Sequence, residues 1–413
     1  MTDTQFDVAI IGAGPSGAVA GALLKQQGLS VCVLEKQYFP RFVIGESLLP
    51  HCMEFLDAAG FLPAVQAETS FQFKNGAAFT YQDQYSEIDF TQKFSAGPGT
   101  TFQVRRGIFD KILIDEAAKQ GVEVRFGDSV AAFDNSGDAA QLSVLREDGS
   151  RYELRAGFVL DASGYGRVLP RLLDLETPSA LPLRQAHFTH IEDNIRDPQF
   201  DRNKILISTH PLHRDVWLWL IPFADNHCSI GVVGLPERFA GIGDSEAILR
   251  RFADEVPMLR RILADAVWEN AFPFRSIEGY SANVKTLHGK HFALLGNAAE
   301  FLDPVFSSGV TIAMHSAKLA ADLLIRRHQG GAVDWQKDFA EPLMVGVNTF
   351  RTYVNGWYEG SFQDVIYARS KTPEITAMIS AILAGYAWDT DNPYVEKSER
   401  RLAALAQTVR QSS

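Results

Sequence analysis

Cysteine is scarce in this chain of 413 residues, whose three cysteines, Cys32, Cys52 and Cys228, form no CxxC pair. So scattered a set argues against a disulfide framework and predicts a reduced, cytoplasmic protein. Long apolar runs are missing as well, because no stretch reaches the roughly 18 residues that a membrane span needs. Positive charge is not in excess either: the formal net charge is −11, which disfavours a nucleic-acid partner.

The clearest pattern that is present occupies the first 35 residues. An apolar, β-branched run with the length of a buried strand leads into glycines at GxGxxG spacing, and small residues then continue as a helix. A second strand follows and ends on an acid. The parts, in order, are Phe6–Ile11, Gly12-Ala13-Gly14-Pro15-Ser16-Gly17, residues 18–24, residues 29–34 and Glu35.

Each of these parts has a physical role in binding a dinucleotide. Gly12 permits a tight turn, Gly14 lets the backbone approach a pyrophosphate, and Gly17 lets helix and strand pack closely. The helix N-terminus favours phosphates, and Glu35 has the reach for a ribose diol. The order of parts predicts an adenine-dinucleotide site; a glycine-rich structural turn is the alternative.

The strand-to-turn pattern returns twice, at Tyr152–Gly164 and at His291–Ala299, and the stretches between are rich in strand formers. From Asp334 the chain reads as helical. We therefore predict an α/β fold in which a Rossmann-like cofactor domain is interleaved with a β-sheet substrate domain and followed by a helical C-terminal cap. The expected bounds are 1–73, 97–180 and 272–330 for the cofactor domain, 74–96 and 181–271 for the substrate domain, and 331–413 for the cap.

Several motifs together resemble FAD-dependent monooxygenases of the p-hydroxybenzoate hydroxylase fold. They are the amino-terminal fingerprint, Arg106 before Phe109-Asp110, Asp161-Ala162-Ser163-Gly164 and Gly296-Asn297-Ala298. Two further motifs resemble the flavin-dependent halogenases: Trp217-Leu218-Trp219-Leu220-Ile221-Pro222 matches a WxWxIP signature, and Phe301–Gly309 matches a signature of Phe, Pro, Ser and Gly. The resemblance covers roughly residues 1–330 and implies that the Rossmann-like domain binds FAD.

The resemblance also implies a reaction. In that family reduced flavin (FADH2) and O2 oxidise chloride or bromide to hypohalous acid, which travels a short tunnel to a lysine near the substrate. By resemblance Lys74 is that lysine; a solvated strand lysine is the alternative. A nitrogen suits an electrophilic halogen as an ammonium, or as an amine if burial lowers its pKa.

The remaining catalytic candidates come from the two halogenase-like signatures. Trp217 and Trp219 alternate on a predicted strand and so face one side, where the family keeps an organic substrate away from the flavin; two core residues are the alternative. Phe306 and Ser307 belong to the second signature, and the resemblance assigns Ser308 and Gly309 to the halide. Helix capping by Ser307 or Ser308 would look identical in sequence.

The expected cofactor residues follow the same motifs. Arg41 and Arg106 are candidates for the FAD phosphates or ring, and Asp161 for the ribityl or pyrophosphate region, unless it caps a strand end. No metal site is expected, since the histidines spaced by three lack a completing carboxylate or cysteine. The full set is Gly12, Gly14, Pro15, Ser16, Gly17, Glu35, Lys36, Arg41, Ser47, Arg106, Val130, Asp161, Gly164, Gly296, Asn297, Pro304 and Gly309.

Two departures from the family pattern bear on function. Asn297 stands where an aspartate is usual and loses a charge-assisted hydrogen bond to the flavin side chain. Phe306 stands where tryptophan halogenases carry a glutamate, so phenol, pyrrole or carrier-tethered substrates fit better. No second GxGxxG fingerprint is present, and we expect a separate flavin reductase instead of a stable NAD(P)H site. The alternatives are a halide-independent monooxygenase, dehydrogenase or reductase, and a non-catalytic FAD-binding component of a biosynthetic complex.

Overall fold

A computed structural model describes residues 5–269, 271–369 and 371–411. The strands are β1 (Gln5–Ile11), β2 (Val31–Glu35), β3 (Gln72–Lys74), β4 (Gly76–Tyr81), β5 (Gln84–Asp89), β6 (Thr101–Gln103), β7 (Glu123–Phe126), β8 (Asp128–Asp134), β9 (Ala140–Arg146), β10 (Arg151–Asp161), β11 (Glu176–Thr177), β12 (Gln185–Glu192), β13 (Lys204–Thr209), β14 (Trp217–Pro222), β15 (His227–Gly234), β16 (Arg275–Glu278), β17 (Asn283–Val284), β18 (His288–Gly289) and β19 (Phe292–Leu294).

The α-helices are α1 (Pro15–Gln26), α2 (Cys52–Ala58), α3 (Leu62–Ala67), α4 (Arg106–Lys119), α5 (Val168–Leu172), α6 (Pro236–Phe239), α7 (Ser245–Glu255), α8 (Pro257–Ile262), α9 (Ser308–His328), α10 (Glu341–Tyr358), α11 (Ser361–Tyr367), α12 (Pro373–Leu383), α13 (Pro393–Glu396) and α14 (Ser398–Gln411). Short 3-10 turns occupy 90–92, 164–166, 296–298 and 304–306, and a π-helical turn precedes α10 at 336–340. Among the described residues no helix combines the length and the apolarity that crossing a bilayer requires.

The first sheet has a parallel core in the order β19–β10–β1–β2–β7. Its strands are apolar on both faces because both faces are covered, as parallel sheets require. Val8 and Ile10 of β1 pack into the cluster that includes α1 and α9, whereas Ala9 and Ile11 face the ribbon of β8 and β9. Because β1 and β2 are parallel neighbours, the carboxyl ends of both strands lie beside the GxGxxG turn that follows β1.

The second sheet runs β16–β12–β15–β14–β13–β4–β5 and is antiparallel except where β13 pairs with β4. Leu218 and Leu220 of β14 face the cluster built with α7 and α8. Trp217 and Trp219 face the opposite way, into the core shared with the C-terminal helices. Alternation along one strand therefore separates a purely structural face from the face that meets the first sheet.

The α/β class with its Rossmann-like sheet, second sheet and helical C-terminal region is confirmed. Some boundaries differ: α1 begins at Pro15, where proline is favoured in a first helical turn, and not at residue 18, and β2 spans Val31–Glu35. The C-terminal region is a set of separate helices, and its residues 370, 412 and 413 lie outside the described residues. The division into domains stays a prediction; β16 belongs to the second sheet although it falls within the range predicted for the cofactor domain.

Candidate active site

A cavity of about 570 Å³ runs from the carboxyl ends of β1 and β2 to strands β13 and β14 of the second sheet. It is the place where most of the predicted site residues meet. Those that line it are Gly12, Gly14, Pro15, Ser16, Glu35, Lys36, Arg41, Ser47, Arg106, Val130, Gly164, Trp217, Trp219, Asn297, Pro304, Ser307 and Gly309. Lys74, Gly17, Asp161, Gly296, Phe306 and Ser308 are not part of its wall. The roles of all these residues stay predictions.

The glycine turn at one end fits the phosphates of a dinucleotide. Gly12 has φ of +100°, and a Cβ there would lie 2.6 Å from the carbonyl oxygen of Ala162. A Cβ at Gly17 would collide with the carbonyl oxygen of Gly12, so Gly17 serves close packing. At Gly14 the space beside the backbone is open, with only an Arg41 Nη2 atom within reach at 3.8 Å. An anion can therefore approach the N-terminus of α1 at Gly14.

Glu35 ends β2 at the cavity and is almost fully buried. Its Oε2 accepts a hydrogen bond from the backbone N–H of Ala13 at 3.0 Å, and its Oε1 accepts one from Gln37 at 2.9 Å. These bonds fix the carboxylate against the glycine turn and leave a second lone pair on each oxygen. The position suits a ribose diol, which needs an acceptor held at one place.

Arg41 and Arg106 share one buried carboxylate, that of Asp110. Arg106 makes a bidentate pair, Nε to Oδ1 at 2.8 Å and Nη2 to Oδ2 at 3.0 Å, while Arg41 Nη1 reaches Oδ2 at 3.1 Å. Two guanidinium groups against one carboxylate leave one excess positive charge within this cluster. A positive charge there suits a phosphate, and the contacts of Arg41 and Arg106 with the cofactor stay predictions.

Asp161 does not point into the cavity. Its Oδ1 accepts from Ser163 N–H at 2.9 Å and its Oδ2 accepts from Leu169 N–H at 2.6 Å, and the residue is fully buried. Burial raises the pKa of this carboxyl. The two bonds favour the alternative given for Asp161, a cap at the end of β10 that shapes the loop of residues 162–164; its contact with the cofactor stays a prediction. Gly296 likewise shapes its turn: φ is +51°, and a Cβ would meet Ala313.

The far end of the cavity is an aromatic wall. Trp217 and Trp219 lie with ring centroids 5.9 Å apart, as their alternation on β14 predicts. Trp219 donates from Nε1 to Ser229 Oγ at 3.1 Å, and its indole lies against Gly231, where any Cβ would collide with it. Phe306 instead packs behind this wall against Trp357, with centroids 5.8 Å apart.

Helix α9 begins at the cavity. Ser307, the residue before its first turn, has φ of +57°, and its side chain makes no capping hydrogen bond to the helix. Gly309 lines the cavity, whereas Ser308 is buried outside the wall. The reading of Ser307 as a plain side-chain cap is therefore wrong. An uncapped N-terminus of a 21-residue helix, lined by backbone N–H groups, suits an anion.

Lys74 lies one side chain behind the cavity wall and is only 1% exposed. Its Nζ donates to Ser47 Oγ at 2.8 Å and to the carbonyl oxygen of Leu48 at 2.7 Å. Burial lowers the pKa of the Lys74 amine to about 7. The alternative of a solvated strand lysine is thus wrong, and the amine is partly neutral near pH 7.

Sequence reasoning missed two buried acids of the site, because their partners are distant in the chain. Glu46 lines the cavity, and its Oε1 lies 2.6 Å from Nε2 of His190. Asp303 accepts from Val305 N–H at 3.0 Å and from Tyr358 OH at 2.9 Å. Trp217 Nε1 also donates to Tyr358 OH, at 2.8 Å. Tyr358 thereby links the aromatic wall to the turn that precedes α9.

Asp303 yields a prediction about stability. Burial raises the pKa of its carboxyl from 3.8 to about 6, so the folded state holds a proton that the unfolded state has released. The stability that this proton contributes is present below about pH 4 and lost as pH rises through about 6. We expect Asp303→Asn to raise the free energy of unfolding at pH 7, by at most about 3 kcal/mol, and to leave it nearly unchanged at pH 4.

Urea unfolding of wild type and Asp303→Asn at pH 4 and pH 7 measures this difference. Equal effects of the substitution at both pH values would contradict it. Asparagine keeps an acceptor for Val305 N–H. Tyr358 OH donates to the carboxylate, and any change in that bond is present at both pH values, so the difference between them isolates the ionisation of the carboxyl.

Among the described residues, no group of three or more histidines, cysteines and acids lies close enough to hold a metal ion. Comparison with known proteins agrees with a flavin site. A family model described as an FAD binding domain matches residues 5–341. The chain is 29% identical over 390 residues to the 1H-pyrrole-2-carbonyl-[peptidyl-carrier protein] chlorinase of Pseudomonas fluorescens, covering 87% of this chain and 83% of that relative.

Two further similarities extend this result. The 1H-pyrrole-2-carbonyl-[peptidyl-carrier protein] brominase of Pseudoalteromonas luteoviolacea is 28% identical over 342 residues, which cover 81% of this chain and 80% of that relative. A solved structure of a flavoprotein/dehydrogenase from Cytophaga hutchinsonii superposes with a TM-score of 0.94 at 42% identity, covering 99% of both chains.

Proposed function

This chain belongs to the FAD-binding domain family and, within it, to the flavin-dependent halogenases. We propose that it oxidises chloride or bromide and delivers the halogen to an electron-rich aromatic or carrier-tethered substrate. It is an FAD-dependent, halogenase-like enzyme. When bound and reduced, FAD supplies with O2 the oxidising equivalents for this reaction. The halide chemistry and the identity of the acceptor are the proposal.

One observation carries the proposal: Ser47 lines the cofactor cavity and also accepts the hydrogen bond of Lys74 at 2.8 Å. The cavity and the buried amine are thus separated by a single small side chain. A small oxidised halogen species can pass such a boundary, whereas an organic substrate cannot. A hydroxylase would instead need an open route for its substrate to the flavin.

The chain's own residues have separable tasks in this proposal. Arg41 and Arg106 hold the phosphates through their net positive charge, and Glu35 orients the ribose. The N-terminus of α9, at Ser307 to Gly309, attracts the halide ion. Trp217 and Trp219 wall off the organic substrate. Lys74, whose pKa is lowered to about 7 by burial, presents a nitrogen lone pair to an electrophilic halogen.

The acceptor that we propose is a pyrrole or phenol, with a pyrrole on a carrier protein favoured. Two relatives that match most of this chain act on pyrrole-2-carbonyl groups held by a peptidyl-carrier protein. Phe306, which packs on Trp357, replaces the glutamate of tryptophan halogenases and supports the same choice. We further propose a cytoplasmic location and reduced flavin from a separate reductase.

A second candidate is a halide-independent dehydrogenase or reductase on the same scaffold. It is favoured by the 42% identity to a flavoprotein/dehydrogenase. Asn297, which lines the cavity in place of the usual aspartate, is compatible with it because the change alters the polarity beside the flavin.

Supplied FADH2, O2 and bromide separate the two candidates. We expect bromide-dependent formation of brominated product from a panel of phenols, pyrroles and a carrier-bound pyrrole-2-carbonyl group, measured by mass spectrometry. Omitting bromide is the control. Absence of product across the panel, together with rapid NAD(P)H oxidation that ignores halide, would select the dehydrogenase or reductase.

A further inference from the structure

Four buried polar side chains share one face of a short ladder beside the cavity. In the antiparallel pair of β3 and β6, Lys74 stands opposite Thr101, and Gln103 stands two residues further along β6. Ser47 pairs with Gln103 in an isolated antiparallel bridge. Opposed residues and residues two apart lie on the same face of a ladder. The hydrogen bond between Lys74 Nζ and Ser47 Oγ agrees with this arrangement.

All four side chains are removed from solvent. The exposed fractions are 4% for Ser47, 1% for Lys74, 1% for Thr101 and 0% for Gln103. Yet Thr101 Oγ1 and both amide atoms of Gln103 have no hydrogen-bond partner among the described protein groups. A buried amide left unpaired costs about 1–3 kcal/mol per group, whereas an apolar residue of similar shape would cost nothing. Their polarity therefore indicates a small polar guest.

The chemistry of these groups defines that guest. A glutamine amide donates and accepts, and a threonine hydroxyl does both as well, so the guest must carry at least one donor and one acceptor. It must also be small, and it is not a cation, because the face offers no carboxylate and already holds the Lys74 amine. Hypohalous acid has one O–H donor and one oxygen acceptor, and the proposed reaction produces it on the cavity side of Ser47.

We propose that Thr101 and Gln103, together with Ser47, form a hydrogen-bonding site that holds hypohalous acid beside Lys74. The inference rests on the proposed function and assigns to it two positioning residues that the motifs do not contain. Thr101 and Gln103 hold the oxygen end of the guest, so that its halogen faces the Lys74 nitrogen. Without Thr101 and Gln103, the hypohalous acid diffuses back past Ser47 into the cavity and escapes as free oxidant.

The test uses Thr101→Val, which keeps the shape of the side chain, and Gln103→Leu, which is of similar volume; both variants are made in the full chain and remove the polar atoms. Thr349→Val is the matched control: Thr349 is also buried, but its hydroxyl donates to the carbonyl oxygen of Val345 within α10. With FADH2, O2 and bromide, two quantities are measured: brominated pyrrole or phenol product per FADH2, and free hypobromous acid trapped by monochlorodimedone.

We expect product per FADH2 to fall at least roughly tenfold in both variants and trapped hypobromous acid to rise correspondingly. FAD affinity should be unchanged in both variants, and thermal stability should be unchanged or increased. Thr349→Val should match wild type in product per FADH2, here called the coupling ratio. A merely structural role would move stability without moving the ratio of trapped oxidant to product.

The outcomes separate this inference from the function on which it rests. If wild type brominates and both variants form as much product per FADH2, the proposed site is overturned and its guest is water only. A wild type that oxidises no bromide overturns the proposed function and this inference together. If Gln103→Leu no longer binds FAD, the isosteric variant Thr101→Val provides the test. Unchanged product per FADH2 in Thr101→Val counts against the proposed site.

Discussion

Replacing Lys74 with methionine is expected to lower the yield of brominated product by about 10²- to 10⁴-fold while FAD binding stays intact. The reason is the position of the amine: it is buried directly behind Ser47, the residue that lines the cavity. Methionine fills the same volume but offers no nitrogen to an electrophilic halogen. Product formed with supplied FADH2, O2 and bromide measures the loss, and FAD titration confirms the intact cofactor site.

The same substitution should not destabilise the fold. Burial lowers the pKa of Lys74 from 10.5 to about 7, so the stability that this group contributes is present above about pH 10 and lost as pH falls through 7. Lys74→Met removes the cost of burying this ionisable group, which is several kcal/mol at most. That gain offsets the loss of the two hydrogen bonds that Lys74 makes. We expect a Tm at pH 7 equal to or above that of wild type.

Lys371 offers a matched control. Burial also lowers its pKa, to about 8, but its Nζ donates to the backbone carbonyls of Val365 and Ile366 in the last turn of α11, away from the cavity. Because its amine lies away from the cavity, Lys371→Met should leave product per FADH2 unchanged. If Lys74→Met and Lys371→Met reduced product equally, the special role of Lys74 would be refuted.

Replacing Gly14 with valine is expected to weaken FAD binding at least about 100-fold, or roughly 2.7 kcal/mol, without unfolding the protein. Gly14 has φ of −71° and ψ of −173°, which any residue adopts. A Cβ there meets nothing closer than an Arg41 Nη2 atom at 3.8 Å and points into open cavity. The side chain would therefore occupy the space where the pyrophosphate approaches the N-terminus of α1. Quenching of FAD fluorescence on titration with apoprotein measures the affinity.

Gly21 provides the control for this prediction, because it lies in the same helix away from the cavity. A Cβ at Gly21 would meet Val122 at an ordinary 3.4 Å. Alanine is favoured over glycine inside a helix by roughly 0.5–1 kcal/mol, so Gly21→Ala should raise stability slightly and leave FAD affinity as it is. Retained FAD affinity in Gly14→Val would contradict the proposed position of the phosphates.

Much of the cofactor end could be predicted from sequence, since its signal is local. The strand, the glycines and the acid from Phe6 to Glu35 are adjacent in the chain, and each has a backbone reason for its position. The structure agrees for two glycines, since Gly12 adopts positive φ and Gly17 permits close packing. Glu35 reaches the turn through Ala13 N–H, and its contact with a ribose stays a prediction. The faces of Trp217 and Trp219 followed from alternation alone.

Other features depended on contacts that no local pattern encodes. Asp161 was placed at the cofactor by its motif, yet its carboxylate turns inward to two backbone N–H groups. The partners of Glu46 and Asp303, namely His190 and Tyr358, lie 144 and 55 positions away in the chain. Periodicity fixes which face of a strand a residue occupies, but not what packs against that face.

By itself the sequence determined a glycine turn typical of nucleotide binding and the α/β class, because these follow from neighbouring residues and backbone geometry; it named Lys74 only through the resemblance, as a candidate. Only the tertiary structure decided that the Lys74 nitrogen is buried, with its pKa lowered, that it bonds to Ser47, and that Thr101 and Gln103 share its face of the ladder. Burial depends on the packing of distant segments, and it is burial that turns an ordinary lysine into an amine with a lone pair at neutral pH.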